Sequence, residues 1–374
     1  MNESRANAPQ SRNKNSLNLR SLLMGFLSLV FGGTAMLEAQ LSFGKEFSGR
    51  EYAGPLIDAH NHWNGSRDAK QVASLMRMHN VVAVVFMPRA YGSKLNSSDL
   101  PTTDEDTLTA LLPYKGIFFP TVGMQLPFLT DSDWGASDKR LETLYIETER
   151  KLATGDFYGI GEVIVRHYPY FKHPSVPEGG KNMDVRKSLD SEHVRRLAQI
   201  AGKYEVPLLF HMEGEPSLVA GAEKVFTENP KTTFIWSHMC GRISATELSR
   251  LLSSHSNLLC DMAGMTNTGP TGYGFAIGRD YPERSGWPQA FSWTHIIESN
   301  GEYFPEVKDL ILTFPNRFLG VGMDTAHGPL PSRVFLERLQ RFRLLLGTLP
   351  LDIAQKLGCS NAKAVWKINV DCQR

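Results

Sequence analysis

The sequence predicts a fold of the α/β class, a (β/α)8 barrel in a single domain behind an N-terminal leader. Three observations predict it. Eight short apolar runs recur between residues 56 and 324. Most are apolar throughout and rich in β-branched residues or Phe, as expected of strands buried on both faces of a parallel sheet. Amphipathic helical segments lie between most of them, and that alternation builds a parallel sheet. A doubly wound open sheet is the alternative arrangement.

The elements follow in order. Residues 1–39 read as a signal peptide or leader, 40–50 as a linker and 51–374 as the barrel. Arg5, Arg12, Lys14 and Arg20 give a basic start, Leu22 to Phe31 an apolar stretch, and Gly32 to Ala35 a run of small residues. That layout predicts export to a periplasm or the outside, and the apolar core is short for a membrane-spanning helix. The expected strands are Leu56–His62, Val81–Met87, Gly116–Val122, Gly159–Val165, Val206–His211, Thr233–His238, Asn257–Met262 and Phe318–Asp324. Expected helices cover Asp68–Asn80, Ser137–Ala153, Asp190–Tyr204, Ser217–Glu228 and Ser244–Ser254, with apolar residues three and four apart. Ser137, Asp190 and Ser244 are their starter residues.

One tract breaks the rhythm. Residues 264–305 are rich in Gly, Pro, Tyr and Trp and follow the seventh strand. In a barrel the loops after the strands build the active-site face, so this tract reads as a substrate-covering insertion. The basic amphipathic segment Leu330–Leu346, with Arg333, Arg338, Arg341 and Arg343, reads as a solvated outer helix. Of the four cysteines, Cys359 and Cys372 are the first choice for a disulfide because they lie close together.

Composition narrows the function. With 41% hydrophobic and 21% charged residues the chain is ordinarily globular, and a net charge of +1 offers nothing to nucleic acid or an anionic membrane. The expected partner is a small-molecule substrate, with no nucleic acid and no stable membrane partner beyond the leader; a homo-oligomer is open.

The chemistry concentrates at strand ends. The first strand runs into Asp58-Ala59-His60-Asn61-His62, and side-chain alternation places Asp58, His60 and His62 on one face. Two imidazoles so spaced can grip one divalent ion. Strand four carries Glu162, strand five ends at His211, strand six at His238 and strand eight at Asp324. In a parallel barrel these ends meet at one rim, so six donor residues converge. Buried charges need partners or a metal, and this set suits zinc above other divalent ions. Asp58 sits deeper and fits support of the ligands better than ligation.

This pattern resembles the amidohydrolase superfamily, with His-x-His on the first strand, His on strands five and six, and Asp on strand eight. The stretch Asn361-Ala362-Lys363-Ala364-Val365-Trp366 and the loop Asp324-Thr325-Ala326-His327 are similar to features of its amidohydrolase-2 branch. Glu162 resembles the bridging glutamate of TatD-like relatives, in place of the carboxylated lysine of many binuclear members. The resemblance implies a TIM-barrel, metal-dependent hydrolase that cleaves an ester, lactone, amide or phosphoester with a metal-activated water. Decarboxylation of an aromatic or unsaturated acid is the alternative, and a non-catalytic ligand-binding barrel a third.

Two metal arrangements are open. One ion can be held by His60, His62, His211 and Asp324 with His238 unligated; two ions can share Glu162, with His211 and His238 on the second. Two is favoured. Asp324 is the expected proton acceptor, and His238, if unligated, would polarise the substrate oxygen. Arg166, Arg242, Asp261 and His327 are the expected substrate-binding residues at the rim.

Overall fold

The structure is a computed structural model that describes residues 51–88, 102–123, 139–167, 185–266, 295–298, 300–325 and 330–373. The expected leader and linker, His327 and most of the 264–305 insertion lie outside the described residues. Residues 49–374 form one unit, and no described helix is long and apolar enough to cross a membrane.

All eight expected strands form, as β1 Leu56–Trp63, β2 Val81–Pro88, β3 Phe118–Pro120, β4 Ile160–His167, β5 Leu208–Met212, β6 Phe234–Trp236, β7 Leu258–Asp261 and β8 Phe318–Leu319. Consecutive strands pair in parallel from β1 to β3 and from β4 to β8. Two further links complete a ring. Val122 bridges to Ile160, joining β3 to β4. Beyond β8 the chain runs on beside β1, where Ala59 N donates to Val321 O and Asp324 N to His60 O, both at 2.9 Å. One buried cluster includes Ile57, Val85, Phe119, Leu209, Ile235, Leu259 and Leu319. Seven strands can share one apolar cluster only if they surround it.

A helix follows each strand: α1 Ala69–Met78, α2 Asp104–Leu111, α3 Lys139–Leu152, α4 Glu192–Lys203, α5 Pro216–Glu228, α6 Ala245–Ser254, α7 Pro305–Thr313 and α8 Arg333–Gly347. Their starts are chemically marked. Asp68, Ser191, Ser244 and Ser332 accept from first-turn N–H groups, and Thr103 with Asp106 forms a reciprocal capping box. The Asn361–Trp366 segment docks on the barrel. Asn361 Nδ2 donates to Pro315 O and Phe318 O at 2.8 Å, and Trp366 joins the barrel cluster.

Three expectations change. Strand six stops at Trp236, so His238 lies on a turn. The β1–β2 register shifts between Asp58 and Asn61, so strict alternation does not run through the motif, and Asn61 Nδ2 reaches Asp58 Oδ2 at 2.6 Å. Two arginines of α8 are not solvated: Arg338 and Arg341 are 4% and 6% exposed. Each donates to a carbonyl of a loop beside the barrel mouth, Arg338 to Asp324 O and Arg341 to Thr266 O. Cys359 pairs with Cys372 as expected, and Cys240 pairs with Cys260.

Candidate metal centre

The six donors meet at the C-terminal mouth of the ring in two groups, His60 with His62 and Asp324, and Glu162 with His211 and His238. Glu162 spans both. Its Oε2 lies 3.7 Å from His60 Nε2 and 3.5 Å from His62 Nε2. Its Oε1 lies 3.3 Å from His211 Nδ1 and 3.8 Å from His238 Nε2. Asp324 Oδ1 is 3.8 Å from His60 Nε2 and 3.4 Å from His62 Nε2. Asp324 is also the open member, its side chain 27% exposed against 5% for Glu162.

Outer partners decide which imidazole nitrogen faces the cup. His60 Nδ1 donates to Asp261 Oδ2 at 2.8 Å, which turns the lone pair of Nε2 inward. His211 Nε2 donates to Glu213 Oε1 at 3.1 Å, turning Nδ1 inward. His238 Nδ1 donates to Ala263 O at 2.7 Å, turning Nε2 inward. These tautomers follow from the acceptors present. Carboxylate or carbonyl behind histidine is how proteins orient imidazole for a metal. His60 Nε2 and Glu162 Oε1 are buried without a hydrogen-bond partner, so the cup presents unspent donor atoms. The donor set fits one or two divalent cations.

Electrostatics agree. Burial lowers the His60 pKa, but the carboxylates of Asp261, Glu162 and Asp324 outweigh it and raise it to about 10. His211 is likewise raised to about 9 against burial by Glu162 and Glu213. The same field that draws protons onto these imidazoles draws a cation. Burial opposes ionisation of Glu162 and Asp324, yet His60, His62 and their neighbours hold both carboxyls well below the usual range. His238 is lowered to about 4 by burial, His211 and Arg242, and stays neutral.

His238 opens an unusual turn. From His238 to Gly241 φ lies between 51° and 67°, and Arg242 follows at 64°. A left-handed backbone costs roughly 1–2 kcal/mol per residue with a Cβ, so the turn needs anchors. His238 N donates to Asp261 Oδ1 at 3.0 Å, Gly214 N to Gly241 O at 2.9 Å, and Arg242 Nη1 to Glu213 Oε2 at 2.6 Å. The Cys240–Cys260 disulfide ties the turn to β7. Only glycine fits at 241, where a Cβ would stand 2.3 Å from Met212 O.

Three of the expected substrate residues already have protein partners. Asp261 is fully buried; its Oδ2 holds His60 and its Oδ1 accepts from His238 N and Ala263 N. Arg242 is paired with Glu213. Arg166 is buried, with Nε on Glu215 Oε1 at 2.5 Å and Nη1 on Val185 O at 3.0 Å. The carboxylates Glu213 and Glu215, just past His211, draw both arginines into the wall of the mouth. His327 lies outside the described residues. Strand-end reasoning places Glu213 at the rim after strand five but does not assign it to His211, and it misses Asn61; the signal for Glu213 is a carboxylate two residues past a donor histidine.

Fold and site together define a parallel α/β barrel with a two-part donor cup at its C-terminal mouth. No protein-family model and no curated protein matches the chain. Among solved structures it is similar to an uncharacterized TIM-barrel protein from Bordetella bronchiseptica, at 14% identity over 80% of this chain and 82% of that one, with a TM-score of 0.44. It is similar to a dihydroxybenzoic acid decarboxylase from Polaromonas with bound manganese and the inhibitor 2-nitroresorcinol, at 11% over 86% and 98%, TM-score 0.45. It is also similar to an amidohydrolase from Burkholderia multivorans with bound zinc, at 10% over 84% and 99%, TM-score 0.45.

Proposed function

We propose that the protein is a metal-dependent hydrolase of a small molecule, acting on an ester, lactone, amide or phosphoester. The observation that carries this reading is Glu162, whose two oxygens face two separate pairs of histidines. A carboxylate so placed suits a pair of divalent ions, zinc first, with His60, His62 and Asp324 on one and His211 and His238 on the other. Such ions would supply Lewis acidity and would lower the pKa of a bound water toward about 7.

The chain's own residues do the rest. Asp324 is ionised and the most open donor, so it accepts the proton of the attacking water and returns it to the leaving group. His238, neutral and fixed through Nδ1 on Ala263 O, serves as a donor to the cation rather than as the group that polarises the substrate. Glu213 and Asp261 hold His211 and His60 in the required tautomers.

The two disulfides suit an oxidising compartment, in line with the basic-then-apolar N-terminal stretch and the reading of an exported protein. A substrate panel in water enriched in oxygen-18, run with metal analysis of the purified protein, tests the reaction. Label in the product supports hydrolysis. Release of carbon dioxide with unlabelled product assigns decarboxylation instead, and bound metal with no turnover across the panel assigns a binding role.

A further inference from the structure

Asp324 sits where a polypeptide does not rest unaided. Its φ is +45°, in the left-handed region that residues with a Cβ visit at a cost. Strand β8 has ended at Leu319, so no regular ladder holds this stretch. Yet every backbone polar group from Met323 to Thr325 has a partner. Met323 N donates to Asp58 Oδ1 at 2.9 Å, and Asp324 N to His60 O at 2.9 Å. Thr325 N donates to Asn61 Oδ1 at 3.2 Å, and Thr325 O accepts from Arg67 Nη2 at 2.5 Å. The remaining two carbonyls, of Met323 and Asp324, both accept from Arg338 Nη1, the latter at 2.9 Å.

Asp58, Asn61 and Arg67 come from β1 and the loop after it, the same segment that carries His60 and His62. Arg338 alone comes from outside, from α8, and brings a guanidinium to 4% exposure to do so. Moving that cation out of water is costly unless its donors are satisfied. Asp324 and Asp58 lie close enough to favour its charge.

We propose that Arg338 is a positioning residue for Asp324: by holding the carbonyls of Met323 and Asp324 it fixes the left-handed backbone that aims the Asp324 carboxylate at His60 and His62. The inference rests on the reading of Asp324 as a cation donor and proton acceptor. Arg338 donates to the backbone of Asp324 and acts through it.

The test uses the full-length protein stripped of metal and titrated with cobalt(II), followed by its visible absorption, for the parent, Arg338→Lys, Arg338→Met, Arg338→Ala and Asp324→Asn. Arg338→Met is expected to lose about 10- to 100-fold in affinity for one of the two cobalt ions, as loss of a supporting group does, and to shift the absorption band as Asp324→Asn does. Once a substrate is in hand, kcat falls while KM holds. Guanidinium added to Arg338→Ala restores the parent spectrum, which a general loss of stability would not permit. Where the Met and Ala variants do not fold, Arg338→Lys keeps the charge on a stem one atom shorter than that of Nη1 and is expected to lose about 10-fold for that same ion. Parent-like affinity and spectrum in the folded Arg338 variants, with parent and Asp324→Asn differing, overturn the inference alone. A parent that binds no cobalt overturns the metal reading and the inference with it.

Discussion

His211 Nδ1 and His238 Nε2 face each other at 3.0 Å. Each ring already donates from its other nitrogen, to Glu213 and to Ala263 O. With both rings neutral, two lone pairs would point at one another across a short gap beside Glu162 Oε1; a proton held by His211, whose pKa is raised to about 9, or a cation between the rings relieves that repulsion. Glu162→Gln removes the charge shared by the two halves of the cup. Its expected outcome is a fall from two bound divalent ions per chain to one, measured by elemental analysis of protein dialysed against trace metal. A parent holding a single ion that Glu162→Gln leaves in place would return the site to one-ion chemistry.

Asp261 accepts from His60 Nδ1–H and also from the backbone N–H of His238, which opens the left-handed turn. Asp261→Asn keeps the shape but can present an N–H where His60 needs an acceptor. Zinc affinity is expected to drop about 10- to 100-fold by calorimetry. Unchanged affinity would mean that the His60 tautomer is set elsewhere.

Asp324→Asn retains an oxygen near His62 but cannot take a proton at neutral pH. Turnover is expected to fall about 10²- to 10⁴-fold, with a smaller loss of metal. Steady-state kinetics at saturating metal read this directly, and full turnover would move the general base to another residue.

Gly264 begins the insertion with φ at +67°, and a Cβ there would stand 3.1 Å from Asp324 Oδ2 and 3.7 Å from His238 Nδ1. Gly264→Ala is expected to displace the carboxylate and cost about tenfold or more in kcat, with about 1–2 kcal/mol of stability lost to the left-handed backbone. Kinetics and a urea melt on the same sample separate the two effects.

His193 offers a pH test away from the cup. Buried and bonded through Nδ1 to Tyr145 Oη at 2.8 Å, it is pushed by burial from 6.5 down to about 4. Between those values the unfolded chain binds the extra proton, so stability rises with pH there. The contribution of neutral His193 is complete above about 6.5 and is lost as pH falls toward about 4, up to about 3 kcal/mol. His193→Gln is expected to flatten that part of the slope of urea midpoint against pH; an identical slope would exclude His193 as its source.

The barrel was legible because eight apolar runs and their polar ends follow directly from burial on both faces of a sheet. The six donors were legible for the same reason: a His, Glu or Asp set in, or just past, an apolar buried run has few other uses. What the sequence concealed were the supports. Arg338 lies on a helix whose polar residues resemble any solvated face, and its partners are backbone carbonyls about fifteen residues earlier in the chain. Asp261 and Arg242 read as rim residues because nothing local reveals that Asp261 bonds His60, two strands away around the ring and 201 residues earlier in the chain. The left-handed turn after Trp236 was hidden too, since only Gly241 in it advertises positive φ.

The two ends of the insertion are pinned together: Ile296 N donates to Met265 O at 3.0 Å, and Phe304 N to Ile296 O at 3.1 Å. Met265 and Ile296 therefore stand side by side, a few residues past the end of β7. Two chain positions held this close can be joined by segments of many lengths at little extra cost in closure entropy. An engineer can graft a foreign segment between them and leave in place the Ala263 carbonyl that orients His238.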